Sequence, residues 1–196
     1  QNWLARLDQS QLPNLKYIEP RWQNAFEAAV SYGVPYFWGT MGIAYRADLV
    51  PEPITTWKQL LQPVEALHGK IVMLKDNRDL ISVALTTLGY SINTTNTQQL
   101  NEAEALLLAQ KPHVKDYSYV ALTEKSALVS GEVVAAMIYN GDALMVQEHN
   151  ENITYALPEE GTELWVDYLV IMQSSAKKEL AMAFVNFLNE PEHAAR

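Results

Sequence analysis

The 196-residue chain contains no cysteine, which removes disulfide frameworks, thiolate nucleophiles, iron–sulfur clusters and cysteine-ligated zinc. Cations are scarce as well. Its 14 Lys and Arg stand against 23 Asp and Glu, a formal charge of −9. That balance disfavours nucleic acid as a partner and weakly favours steering cations inward. No apolar run approaches the ~20 residues of a membrane-spanning helix. The histidines, His68, His113, His149 and His193, show no i, i+3 or i+4 pairing, so each is read as a surface residue and no metal site is expected. Gly-x-Ser-x-Gly, P-loop and Gly-x-Gly-x-x-Gly patterns are all missing, and no cofactor is expected. The opening Gln1-Asn2-Trp3-Leu4 has neither a basic n-region nor an apolar h-region, so no signal peptide is expected; the chain reads as opening in mid-domain.

What is present is a globular composition, 48% hydrophobic and 19% charged, enough for one ordinary domain or two small lobes. Short β-rich runs alternate with amphipathic helical spacing, the α/β pattern. Val34 to Tyr45 is two short apolar segments divided by Gly39-Thr40-Met41-Gly42, predicting two strands or one bent strand. A short helix near Thr56–Leu61 is followed by a buried strand at Ile71-Val72-Met73-Leu74. Leu80, Ile81, Ala84, Leu85 and Leu88 predict a helix ended by Gly89. Asn96, with Gln99 three residues on, caps the next, whose apolar face is Leu100, Ala103, Leu106 and Leu107. A helix near Thr123–Ser130 precedes a strand over Val133–Ile138, and further strands are expected near Ile153–Leu157 and Leu164–Met172. The final helix carries Leu180, Phe184, Phe187 and Leu188 on one side.

Open α/β sheets bind ligands beyond the carboxyl ends of their strands. Three stretches meet that condition: Lys75–Asp79, Tyr139–Asp142 and Trp165–Asp167. On spacing alone Asp76 reads first as an N-cap and Asp79 as a solvated first-turn carboxylate. Tyr139 and Trp165 read first as core or lobe-edge aromatics. Asp167 lies within the apolar run Trp165–Ile171, where a buried carboxylate requires a backbone amide, an arginine or a ligand ammonium. Asp142 serves to start a helix, and Glu159-Glu160-Gly161 reads as a solvated loop. A general acid/base pair of Asp79 and Asp167 is conceivable, but nothing in the sequence supplies the substrate-side machinery of a hydrolase.

The residues also carry a family resemblance. Val34-Pro35-Tyr36-Phe37-Trp38-Gly39-Thr40, Asp76-Asn77-Arg78-Asp79, Ile138-Tyr139-Asn140-Gly141, Trp165-Val166-Asp167 and Phe184-Val185-Asn186-Phe187-Leu188 occur in the order found in the periplasmic spermidine/putrescine-binding proteins of polyamine ABC transporters, which the chain resembles over almost its whole length. The resemblance implies a two-lobe type II solute-binding fold closing over its ligand, with the first lobe incomplete in this chain. It divides the chain into residues 1–39 (end of the first lobe and crossover), 40–164 (second lobe) and 165–196 (return to the first). Family members have a further half-lobe upstream, and distal ligand contacts downstream of the position of Arg196. The resemblance implies that Asp79 holds a terminal ammonium with Asp76 beside it, that Tyr139 replaces a tryptophan packing on the polyamine chain, and that Trp165 and Asp167 supply a second aromatic wall and carboxylate. It further implies a periplasmic, monomeric, non-enzymatic binder of putrescine or spermidine served by a membrane permease. The alternative it leaves open is the extracellular sensing domain of a signalling receptor for a polyamine or cationic amino acid.

Overall fold

The structure, a computed structural model, describes residues 3–194; Gln1 and Asn2 of the opening stretch lie outside them. In chain order the helices are α1 (Pro20–Gln23), α2 (Trp57–Leu61), α3 (Asn77–Thr87), α4 (Thr97–Gln110), α5 (Ala127–Ser130), α6 (Asn140–Gln147), α7 (Lys178–Leu188) and α8 (Pro191–Ala194). The strands are β1 (Gly33–Arg46), β2 (Ile71–Met73), β3 (Asp116–Tyr117), β4 (Ala135–Tyr139), β5 (Ile153–Ala156) and β6 (Leu164–Val170). The chain forms two compact units, Gln1–Trp38 with Trp165–Arg196, and Gly39–Leu164.

In the larger unit the strands lie in the order β3-β2-β4-β1-β5. β2 is parallel to β3 and β4, whereas β1 runs antiparallel to β4 and β5. Strand alternation sends Ile71 and Met73 to one face and Val72 to the other. Ile71, Met73, Met41, Ile43 and Met137 pack with Trp57, Leu60, Leu85 and Ala103. Val72, Ala44, Ala136 and Ile138 pack with Leu128, Ala143 and Val146 on the opposite side. Covering both faces is what lets the parallel strands be apolar throughout.

Val34 to Tyr45 falls within the single 14-residue strand β1 rather than two strands. Gly42 makes its passage possible: a Cβ there would sit 2.5 Å from the Tyr155 ring and 2.6 Å from the Ala156 carbonyl oxygen. The helix starts follow local chemistry. Asp76 caps α3 by accepting from the Arg78 and Asp79 amides, and Asn96 caps α4 by accepting from those of Gln98 and Gln99. Gly89, at φ +75°, ends the α3 segment.

Several expectations change. Of the apolar face expected on α4, Ala103 and Leu106 are buried and Leu107 packs against the core, whereas Leu100 is 38% exposed. The helix predicted from Thr123 begins only at Ala127, because Ser126 caps it through its hydroxyl. β3, two residues long, is too short to produce an alternation pattern. The fold also brings His68 and His113 together, ring centroids 4.0 Å apart.

The smaller unit packs Leu7, Leu12, Val34 and Ile171 against Met182 and Val185 of α7. The apolar side read from the sequence is mostly outward: Leu180, Phe184 and Phe187 are 67%, 58% and 47% exposed, and Leu188 is half-buried. Because α7 is apolar on several sides, periodicity alone cannot choose its buried face. Polar contacts choose it: the Asn14 amide donates to Asn186 Oδ1 at 2.9 Å, and Asn14 Nδ2 to the Asn186 carbonyl at 2.8 Å. β6 pairs with β1.

Candidate functional site

In the larger unit, the parallel neighbours β3, β2 and β4 end at one edge, where the chain turns toward α3 after β2 and directly into α6 after β4. Asp76 and Asp79 follow β2, Tyr119 follows β3, and Tyr139 ends β4. The Tyr139 hydroxyl donates to Asp79 Oδ2 at 2.6 Å, joining residues that lie 60 positions apart in the chain. Burial, then the hydrogen bond to Asp79 and the charges of Asp79, Tyr119 and Asp76, push the Tyr139 phenol up, so it remains a neutral donor at physiological pH. Asp79 is half-buried, as are Asp76 and Tyr139.

The two acids have different duties. Asp76 Oδ1 accepts from the backbone amides of Arg78 at 2.8 Å and Asp79 at 3.1 Å, so the capping reading of Asp76 holds in the structure. Asp79 makes no ion pair among the described residues. Two helix N-termini would ordinarily favour an anion here. Asp76 and Asp79 at the start of α3, with Asp142 in the first turn of α6, reverse that preference. Burial pushes the Asp142 carboxyl up.

A polar frame holds the edge in place. The Thr40 amide donates to Asn140 Oδ1 at 3.1 Å, and the Tyr155 hydroxyl donates to the Thr40 carbonyl at 3.2 Å. Thr40, Tyr119 and Tyr155 carry no local sequence signal for a site. Their signal is tertiary, because each matters only once the strands are ordered.

The Glu159-Glu160-Gly161 turn is a clasp rather than a free solvated loop. The Glu160 carboxylate accepts from the Trp57 amide at 3.1 Å and the Lys58 amide at 3.0 Å, while Trp57 Nε1 donates to the Gly161 carbonyl at 2.9 Å. Thr56 and Gln59 add a reciprocal capping box.

In the smaller unit, β6 has no fully buried residue. Asp167 is exposed, so it needs no partner to offset burial, and the buried-carboxylate argument for it fails. Trp165 is half-buried. The same unit holds a cavity of about 290 Å³ lined by Tyr17, Trp22, Tyr36, Phe37 and Trp38, with Trp22 stacked on Trp38 at 4.8 Å. The acid lining it, Glu19, is paired with Arg21 at 2.7 Å, leaving the cavity without an uncompensated negative charge of its own. No cluster of three or more His, Cys, Asp or Glu suited to a metal ion occurs among the described residues.

A two-sided mixed sheet with acids and aromatics at its strand ends defines a type II periplasmic-binding-protein fold. The chain belongs to the bacterial extracellular solute-binding proteins, whose family model matches residues 1–196. It is 33% identical to the norspermidine sensor of Vibrio cholerae over 190 residues, 96% of this chain and 52% of that protein. It is 31% identical to the spermidine/putrescine-binding periplasmic protein of Escherichia coli over 193 residues, 97% of this chain and 54% of the other. The crystal structure of the spermidine/putrescine ABC transporter substrate-binding protein PotD from Streptococcus pneumoniae matches with a TM-score of 0.83 and 32% identity, over 98% of this chain and 58% of that one. The chain thus spans about half the length of the curated relatives it matches.

Proposed function

We propose that the chain is the binding portion of a periplasmic polyamine-binding protein that takes putrescine or spermidine and delivers it to the permease of an ABC transporter. The observation that carries this reading is the Asp79 carboxylate, half-buried at a strand-end edge, oriented by Tyr139 and paired with no protein cation among the described residues. A terminal ammonium supplies the missing charge through a charge-assisted hydrogen bond. The Tyr139 ring lies against methylenes or the cation, a contact of roughly 0.5–1 kcal/mol where exposed. Asp76 contributes negative field more than a direct bond. Trp165 and Asp167, in the other unit, are proposed as further ligand contacts on the strength of the family resemblance. The ligand leaves chemically unchanged, with no cofactor, metal or catalytic residue involved, and the protein acts as a monomer.

The second reading is a sensing domain that reports polyamine levels to a membrane receptor, and the relative named as a norspermidine sensor favours it. Titration calorimetry of the full chain with putrescine, spermidine, norspermidine and arginine tests the site. Asp79→Asn is expected to weaken polyamine binding by roughly tenfold or more, from a lost charged hydrogen bond. Asp167→Asn tests the second acid independently. A response to arginine with none to any polyamine refutes the substrate assignment. Preferential binding of norspermidine together with failure to engage a transporter favours the sensor.

A further inference from the structure

Asp79 offers its two oxygens unequally. Oδ2 accepts the Tyr139 hydroxyl at 2.6 Å, whereas Oδ1 accepts from no side chain or amide among the described residues. The backbone beneath is fixed as well, since the Asp79 amide donates to Asp76 Oδ1 at 3.1 Å. Tyr139 is itself anchored. It ends β4 opposite Met41 of β1, packs against the core that includes Met41 and Met73, and occupies the N-cap position of α6. The carboxylate is therefore held in orientation, with Oδ1 open and one lone pair of Oδ2 taken.

Resting on the polyamine reading above, we propose that the Tyr139 hydroxyl is a specificity-determining group: by taking one lone pair of Oδ2 and fixing how the carboxylate faces, it suits Asp79 to a primary ammonium and disfavours the two-oxygen fork of a guanidinium. An ammonium needs a single acceptor on Asp79 and can direct its other N–H groups elsewhere. A guanidinium gains most from two parallel N–H···O bonds to both oxygens of one carboxylate. Here the fork must either share Oδ2 with the phenol, which weakens its second bond, or displace the phenol, which then loses a charge-assisted bond in a half-buried setting. Burial and the neighbouring Asp79 charge keep the phenol protonated, so the hydroxyl persists as a donor across the physiological range.

The probes are putrescine and 1,4-diguanidinobutane, which share a four-carbon chain and carry an ammonium or a guanidinium at both ends, so neither can offer Asp79 the other group by reversing. Calorimetry on the full chain gives the ratio of the diguanidinobutane to the putrescine dissociation constant for the unsubstituted protein, Tyr139→Phe and Tyr139→Trp. Tyr139→Phe keeps the ring and frees Oδ2, so the ratio is expected to fall about tenfold, the equivalent of one hydrogen bond to a charged group. Tyr139→Trp removes the hydroxyl while enlarging the aromatic face, and the ratio should fall by a similar factor even where overall affinity rises. A merely structural role for Tyr139 would weaken both ligands in parallel and leave the ratio unmoved. That result, with melting temperatures showing the variants folded, overturns the inference while sparing the polyamine reading. If the unsubstituted chain binds neither probe, the polyamine reading fails and this inference falls with it.

Discussion

Replacing Glu160 by alanine should destabilise the larger unit out of proportion to the residue's position in a turn. α2 is only five residues long, too short to persist without its ends satisfied. Thr56 Oγ accepts from the Gln59 amide at 3.3 Å, which leaves the Trp57 and Lys58 amides to Glu160, at 3.1 and 3.0 Å. Each is a hydrogen bond to a charged acceptor at a helix N-terminus, and partial rehydration of the exposed Lys58 amide reduces the loss. Together they are worth about 2 kcal/mol. The effect propagates because Trp57, fully buried in the main core, hangs from the same clasp through its indole bond to Gly161. For a chain of this size, about 2 kcal/mol corresponds to a fall in Tm of roughly 4–8 °C. Urea unfolding followed by tryptophan fluorescence and far-UV circular dichroism measures it directly. Glu160→Gln retains an acceptor without the charge and should lose about half as much. A change below about 0.5 kcal/mol for Glu160→Ala would refute the clasp as a stabilising element.

Gly42→Ala should cost roughly 2–3 kcal/mol, because the methyl meets the Ala156 carbonyl as well as the Tyr155 ring and neither can retreat without disturbing β5; chemical denaturation gives the value. The Arg46 fork on Asp48, with contacts of 2.8 and 2.7 Å, holds the Asp48 carboxyl below the usual carboxylate range. A depressed folded pKa means the contribution is present above the unfolded value and is lost as pH falls through the folded one. The stability gap between the unsubstituted protein and Asp48→Asn should therefore shrink below about pH 4, as denaturation at a series of pH values will show. The outward Leu180, Phe184 and Phe187 of α7 should bind the dye ANS under native conditions, and a Leu180→Lys/Phe184→Ser variant should lower the fluorescence by about half or more.

Much of the larger unit was legible because its signals are local. Asp76 and Asn96 announce α3 and α4 within three residues of their caps, and the unbroken apolar run at Ile71 identifies a strand covered on both faces. The same locality drew attention to Asp79 without revealing its partner, since Tyr139 becomes its neighbour only when β2 and β4 pair in parallel. Glu160 was misread for a related reason: its partners lie about a hundred positions earlier in the chain. The exposure of Asp167 has a different reason. An apolar run does not guarantee burial: β6 reaches only half-burial, and Leu180, Phe184 and Phe187 stay outward on α7.

The absence of cysteine and the openness at Gly141 combine into a practical consequence. Gly141 lies two residues after Tyr139 in the first turn of α6, and a Cβ there would meet nothing within 4 Å. A cysteine at this position should be accommodated, with a helix propensity better than that of the glycine it replaces. It would be the sole thiol in the chain. An environment-sensitive fluorophore attached to it would stand beside the Asp79–Tyr139 hydrogen bond without replacing either partner, turning the strand-end edge into an optical reporter of its own occupancy.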